Sequence, residues 1–296
     1  MKNKTIFPQN VISLNCARNC LRYTIKAYNI KTIHIPYYTC PTVWQAIQKE
    51  HCKIHFYHID KNFMPVNPFD IDDYILYTNY FGICAKNIKE LDIKYPNLIV
   101  DNAQAFFMPE YGIASFNSLR KFLEVPDGAF LYIDKHLNLK FEKDTFSPEC
   151  SFTHKSINIA SDYPDYYANE NRFQNEDIKI MSDFTKKLYT LTDIKYVKEK
   201  RLSNFYHFHN SLADINELKL KLCVEDVPMY YPLLINNETL KNSLIKNGIF
   251  LPKYWNSMQK NWTESYIREH LLLLPINEKY EKEDIKRIID IINTET

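Results

Sequence analysis

Three polar residues have types and spacing that could do chemistry: Asp101 and Gln104 in "VDNAQAFF", Val100 to Phe107, and Lys121 in "SLRKFLEVPDGA". Asp101 ends an apolar run, Gln104 follows three residues on, and Lys121 stands just before a Pro-Asp-Gly turn. Together they are the parts a pyridoxal phosphate site requires. A carboxylate keeps a pyridinium nitrogen protonated so that the ring can withdraw electrons, and a lysine amine condenses with the aldehyde. The same amine can act as base and acid for a proton shift at a substrate carbon. Taken singly, each residue has a plainer reading. Asp101 and Gln104 could be end caps, Lys121 could snorkel from the apolar surface of Leu119, Phe122 and Leu123, and Gly128 could be a turn glycine.

A phosphate needs a cradle, and "SLNCARNCLRYTIKAY" offers one. Residues Cys16 to Asn19 lead into a helix whose first N–H groups and positive dipole end favour an anion. An ordinary helix start with a solvated Arg18 remains the alternative.

The elements that must position these residues follow from periodicity. Apolar runs in "KTIHIPYY", "CKIHFYHI", "DYILYTNYFG" and "NLIVDNAQ" predict strands, with "AFLYID" a further strand after Gly128. "ARNCLRYTIKAYN", "CPTVWQAIQKE" and "IKELDIKYP" predict the intervening helices. The alternation predicts an α/β domain with a mostly parallel sheet between helices, over residues 1–180, with the ligand crevice at the carboxyl ends of the strands. From about 181 a charged helical stretch, a strand "MYYPLLI", a helix "ETLKNSLIKNG" and a last amphipathic helix "EKEDIKRIIDII" predict a smaller α+β domain, 181–296.

The 296 residues are 45% hydrophobic, with 37 basic against 36 acidic side chains, so the chain is expected to pack throughout and shows no footprint for nucleic acid. No secretory segment or bilayer-length apolar run is read, so no membrane association and a cytoplasmic location are expected. The seven cysteines form no C-x-x-C pair and are expected to be reduced, packed thiols. "HFYHID" and "FYHFHN" place alternate histidines on one face. No carboxylate or cysteine cluster accompanies them, so core histidines are expected rather than a metal site.

"CARNCL", "IPYYTCPTVWQAI", "VDNAQAF", "SLRKFLEVPDGAFL", "GIFLPKYW" and "LLLLPINEKY" occur in the order and spacing of a known family. The chain resembles the DegT-type sugar aminotransferases, fold-type I pyridoxal phosphate enzymes, over residues 12 to 292. The match looks closest to a branch found in bacterial surface-polysaccharide clusters. The resemblance implies that Lys121 is the lysine holding the cofactor, Asp101 the acid at the ring nitrogen, and Gln104 the residue near the ring and its 3′ oxygen. It implies that Ala17, Arg18 and Asn19 form the turn holding the phosphate, with Ser118 or Ser115 supplying a hydroxyl. A homodimer is also implied, and so is amino transfer from glutamate to a nucleotide-linked keto sugar.

Departures from the family pattern are specific. Ala129 replaces the second glycine after Lys121, and Phe116 occupies the usual serine position. Cys40 stands where an aromatic ring usually stacks, leaving Tyr38 or another ring to do so. The stretch that reaches a partner subunit's phosphate has no clear counterpart after residue 140, and the chain is shorter than typical members. Dehydrating relatives replace the lysine with histidine, so Lys121 favours amino transfer. Another pyridoxal-dependent step, or a noncatalytic binding or scaffold role, remains as an alternative. "SDYPDYYANENRF" and "PKYWNSMQKNW" read either as packing and surface segments or as substrate-facing ones.

Overall fold

Continuous apolar runs become central strands when helices cover both sheet faces, and the computed structural model of the chain shows this arrangement. It describes residues 5–145, 171–174, 176–249, 251–255 and 264–295. Strands β1 (Ile12–Leu14), β2 (Thr32–Pro36), β3 (Lys53–Tyr57), β4 (Ile75–Thr78), β5 (Leu98–Asn102), β6 (Ala114–Asn117) and β7 (Ala129–Ile133) form one sheet. Their order is β1-β7-β6-β5-β4-β2-β3. Pairings from β3 through β6 are parallel, whereas β7 runs antiparallel to both β6 and β1.

Helices α1 (Ala17–Tyr28) and α2 (Pro41–Lys49) cover one face, and α3 (Ala85–Lys94) covers the other. Alternation along β5 divides its side chains between them. Ile99 packs with Leu21, Ile25 and Ile47 from α1 and α2, while Leu98 and Val100 pack with Ile88 and Leu91 from α3. Asp101 therefore shares the face on which α1 and α2 begin.

The strand order corrects one expectation. "KIHFY" is the edge strand β3, and His55 is exposed rather than buried. Having a neighbour on one side only, β3 is less enclosed than the alternating pattern suggests. Four cysteines, Cys16, Cys20, Cys52 and Cys84, are buried free thiols, and Cys40 and Cys223 are half-buried ones; Cys150 lies outside the described residues.

The later part of the chain pairs β8 (Tyr230–Leu234) antiparallel with β9 (Leu271–Pro275). Helices Ile194–Leu212, Glu238–Lys246 and Lys282–Glu295 bury Phe208, Leu244 and Ile288 against this pair. Asn237 caps the second of these helices by accepting from the Thr239 and Leu240 N–H groups, and Gly248 follows it at φ 77°.

The turn before β7 does more than reverse the chain. Asp127 is fully buried and accepts from the Ser182 N–H and hydroxyl, both at 2.7 Å, and from the Thr185 hydroxyl. It thereby fixes the start of the helix Asp183–Leu191 against the Lys121 turn. Gly128 has φ 114°, and a Cβ there would meet Thr185 Cγ2 at 3.0 Å, so the close approach needs glycine. Asp127→Ala is expected to lower stability by about 2–4 kcal/mol, because it strands the buried Ser182 N–H and both hydroxyls. Urea unfolding with an unchanged m-value checks this; a shift under about 0.5 kcal/mol would refute the anchoring role.

Candidate active site

Lys121 ends a short 3-10 turn, Leu119–Lys121, directly after β6. The Leu119 N–H donates to the Gly128 carbonyl at 3.0 Å, and the Phe122 and Leu123 N–H groups return to the Leu119 carbonyl. Leu119, Phe122 and Leu123 are buried together, which anchors the turn and leaves Lys121 half-buried at a cavity. The cavity encloses about 200 Å³, far more than one water requires. Lys121, Asp101, Ser118, Ala17, Arg18 and Cys40 line it together.

Asp101 lies at the carboxyl end of β5, next in register to Phe116 of β6, which also lines the cavity. Its Oδ1 accepts the Ala103 N–H at 2.8 Å. Burial pushes its carboxyl above the usual range, while the Lys121 ammonium and the Ala103 N–H pull it back. An anionic oxygen held out of water beside an amine is suited to pairing with a protonated ring nitrogen.

α1 begins at the cavity, with Cys16 as an extended N-cap residue. The Cys16 side chain makes no capping hydrogen bond to the first turn, and no acidic residue lies in that turn. An anion seated there would meet the N–H groups and dipole of the helix start, with Arg18 on the same wall. α2 starts on the same cavity through Cys40, whose sulfur accepts the Thr42 hydroxyl at 3.1 Å.

Four of the candidate residues are placed elsewhere. Asn19 does not line the cavity; its amide joins Asn15, Arg22 and the Asp177 carbonyl at 2.8, 3.0 and 3.2 Å. Ser115 is buried one position before Phe116 and therefore points to the opposite sheet face, so Ser118 is the serine at the cavity. Tyr38 packs parallel to Tyr80 and edge-on to Trp255, with centroids 5.7 and 4.5 Å away. Gln104 is also outside the cavity lining. Its Oε1 accepts the Phe81 N–H at 2.8 Å, and its buried Nε2 has no hydrogen-bond partner among the described residues.

The structure adds Ala103, Phe116, Arg120, Tyr254 and Trp255 to the cavity wall. Ala103 and Arg120 adjoin motif residues and could have been found by proximity alone. Tyr254 and Trp255 arrive from a segment far along the chain, which the resemblance, through "GIFLPKYW", places near the active-site mouth; the rest of "PKYWNSMQKNW", from residue 256, lies outside the described residues. Trp255 is both a cavity wall and a core ring, at φ 58°. Of "SDYPDYYANENRF" only Asn171, Arg172 and Phe173 are described. The guanidinium groups of Arg120 and Arg172 both lie over the Phe173 ring, 4.8 and 4.1 Å from its centroid, and Arg172 binds Asp144 through two 2.9 Å contacts.

No family model matches the sequence, and no curated protein matches it. Solved structures do. A DegT DnrJ EryC1 StrS aminotransferase from Brucella abortus superposes with TM-score 0.65 at 13% identity, over 97% of this chain and 86% of that one. The sugar aminotransferase CalS13 from Micromonospora echinospora gives 0.62 at 12% identity, over 96% and 87%. The E. coli GDP-4-keto-6-deoxy-D-mannose-3-dehydratase with bound hydrated PLP gives 0.68 at 13% identity, over 95% and 87%. The chain has the fold that these proteins share, as the sequence resemblance implies.

Proposed function

We propose that the protein is a pyridoxal phosphate-dependent aminotransferase acting on a keto sugar. The observation that carries this reading is the joint placement of Lys121 and buried Asp101 in one cavity onto which the start of α1 opens. The donor set suits a phosphorylated pyridine aldehyde: an amine for the aldehyde, a carboxylate for the ring nitrogen and a helix start for the phosphate. When bound, that group supplies an aldehyde that can carry an amino group and a ring that can accept electron density.

The chain's own residues perform the remaining tasks. Asp101 would hold a proton on the ring nitrogen, and its burial would strengthen that interaction by excluding water. Lys121 Nζ would hold the aldehyde and, once the incoming amine displaces it, would carry a proton between the donor carbon that bears the nitrogen and the former aldehyde carbon on the other side of that nitrogen. Ala17, Arg18 and Ser118, which line the cavity, would hold the phosphate, and Ala103 with the Tyr254 and Trp255 rings would bound the space left for the pyridine ring. Gln104 positions the loop after β4 through Phe81 rather than lining the cavity.

The sugar as acceptor is taken from the motifs in the sequence and from the names of the structural neighbours. Glutamate as donor, a nucleotide carrier and a role in surface-polysaccharide synthesis belong to the same proposal, as does a homodimer. No helix among the described residues is long and apolar enough to cross a membrane.

Purified protein incubated with pyridoxal phosphate and then glutamate provides the test. Cofactor absorbance is expected to change on binding, and glutamate is expected to convert the cofactor to its amine form with release of 2-oxoglutarate. Uptake of the cofactor without any conversion by glutamate or other amino acids would overturn the aminotransferase reading, and no uptake would overturn the cofactor.

A further inference from the structure

Arg201, in the middle of the helix Ile194–Leu212, is only 1% exposed. Its guanidinium lies 4.6 Å from the Phe122 ring centroid, and its Nη1 donates to the Met229 carbonyl at 3.1 Å. Nη2 stands 3.5 Å from a Glu278 oxygen, and Nε has no hydrogen-bond partner among the described residues. A buried cation with hydrogen bonds left unmade is unfavourable, and an apolar side chain of similar volume would often serve stability as well. The reason for an arginine is better sought in what it joins.

Met229 and Tyr230 form a junction behind the cavity. The Met229 N–H donates to the Phe81 carbonyl at 2.8 Å, and the Phe81 N–H donates to Gln104 Oε1 at 2.8 Å. The Tyr254 hydroxyl, on a side chain that lines the cavity, donates to the Tyr230 hydroxyl at 3.3 Å. Phe122, under the guanidinium, is the residue after Lys121. Arg201 is thus a polar bridge from the lysine turn to Met229. Met229 packs in the same buried cluster as Phe122, its N–H leads through Phe81 to Gln104, and its neighbour Tyr230 meets the cavity wall at Tyr254. A second tie, Lys279 to Glu124 at 2.6 Å, is largely exposed and screened by solvent, so it cannot replace this bridge.

We propose that Arg201 is a positioning residue for Lys121: its guanidinium plane seats the Phe122 ring, and its bond to the Met229 carbonyl sets the lysine turn relative to the Gln104 and Tyr254 walls. It does not line the cavity and acts only through Phe122 and Met229. The role needs both the plane and the fork of the guanidinium, which a lysine lacks. It deepens the proposed function, and one arm of the test does not depend on that function.

The first arm measures acylation of Lys121 by acetic anhydride, by mass spectrometry, against exposed Lys86 as reference, in the parent, Arg201→Lys and Arg201→Met. Both variants are expected to change the Lys121 rate at least about fivefold while Lys86 is unchanged, since small displacements of a held group alter its reactivity. The second arm measures glutamate turnover and the visible circular dichroism of bound cofactor. A fall in kcat of about 10–100-fold with KM little changed, and an altered dichroic band, are expected. Circular dichroism in the far ultraviolet identifies folded variants, and Arg201→Lys decides if Arg201→Met does not fold. Folded variants that lose only thermal stability, with Lys121 acylation and kcat within about twofold of the parent, would overturn the proposal. If the parent takes up no cofactor, the aminotransferase reading fails while the acylation arm still judges Arg201.

Discussion

Lys121→Ala is expected to lose the borohydride-fixed pyridoxyl label that the parent acquires, and to lower glutamate turnover by about 10²–10⁴-fold or more. The side chain is half-buried at the cavity, whereas Leu119, Phe122 and Leu123 supply the buried anchors of the turn. The variant should therefore keep its fold while losing both the attachment point and the proton carrier. It should also be somewhat less stable at neutral pH without cofactor. Removing the ammonium leaves burial of Asp101 less opposed, and its carboxyl then moves further above the usual range. Peptide mapping of the reduced protein checks the first outcome. A pyridoxyl label retained at full level on another lysine in the variant would refute the assignment of Lys121.

Asp101→Asn is expected to separate activity from stability. Turnover should fall by about 10²–10³-fold, because a neutral amide does not hold the ring nitrogen protonated as an anion does. Stability without cofactor should change in the opposite sense. Burial raises the folded-state carboxyl above its unfolded value, with Lys121 and the Ala103 N–H only partly offsetting it. Between those two values the folded protein binds more protons than the unfolded chain, so stability falls as pH rises through the window. Above the window the full penalty of the buried anion remains; below the unfolded value it is absent. The amide carries no such penalty, so at neutral pH the variant should melt higher than the parent, with the difference shrinking in acid. Thermal unfolding across the acid range, read beside turnover, checks both limbs. A variant that melts lower at pH 7 than the parent while equally folded would mean that the Asp101 charge is net stabilising in place.

The two substitutions act on one electrostatic unit, so their effects on stability should not add. Lys121→Ala should destabilise less in the Asp101→Asn background, where no anion remains for the ammonium to favour.

The regular parts of the fold were legible because their apolar spacing is local. β2 to β5 and α1 to α3 lie where the runs and periods predicted, and so do β7, β8 and the three long helices of the later part. Three strands were not read. β1 has three residues, β6 is the short "ASFN" with polar Ser115 and Asn117, and β9 is "LLLLP", whose continuous apolar run carries no period to tell strand from helix. The antiparallel entry of β7 beside β6 also left no local trace. Hydrogen-bond partners chosen across the sheet decide strand direction, and the alternation of side chains is the same either way.

At the site, residue type announced chemistry but could not say which neighbour reaches the cavity. Ser118 and Ser115 are equivalent in kind and lie three residues apart, yet the face carrying Phe116 excludes Ser115. Cys40 reaches the cavity as an N-cap residue while Tyr38, two residues before, is packed between Tyr80 and Trp255. Asp127, a turn signal in the sequence, becomes the buried acceptor that holds Ser182, the cap of a helix beginning at Asp183. Such contacts depend on chain segments that meet only when the sheet closes its two faces.

The sequence by itself determined the alternation of strands and helices, the carboxylate at the end of β5, and the lysine before a glycine turn, since each rests on residues within a few positions of one another. Only the tertiary structure decided that Asp101 and Lys121 face one cavity with the start of α1, that His55 lies on an open edge, and that Tyr254 and Trp255 complete the wall. Strand order and register set which face each side chain occupies, and these are fixed by burial summed over distant segments rather than by any local spacing.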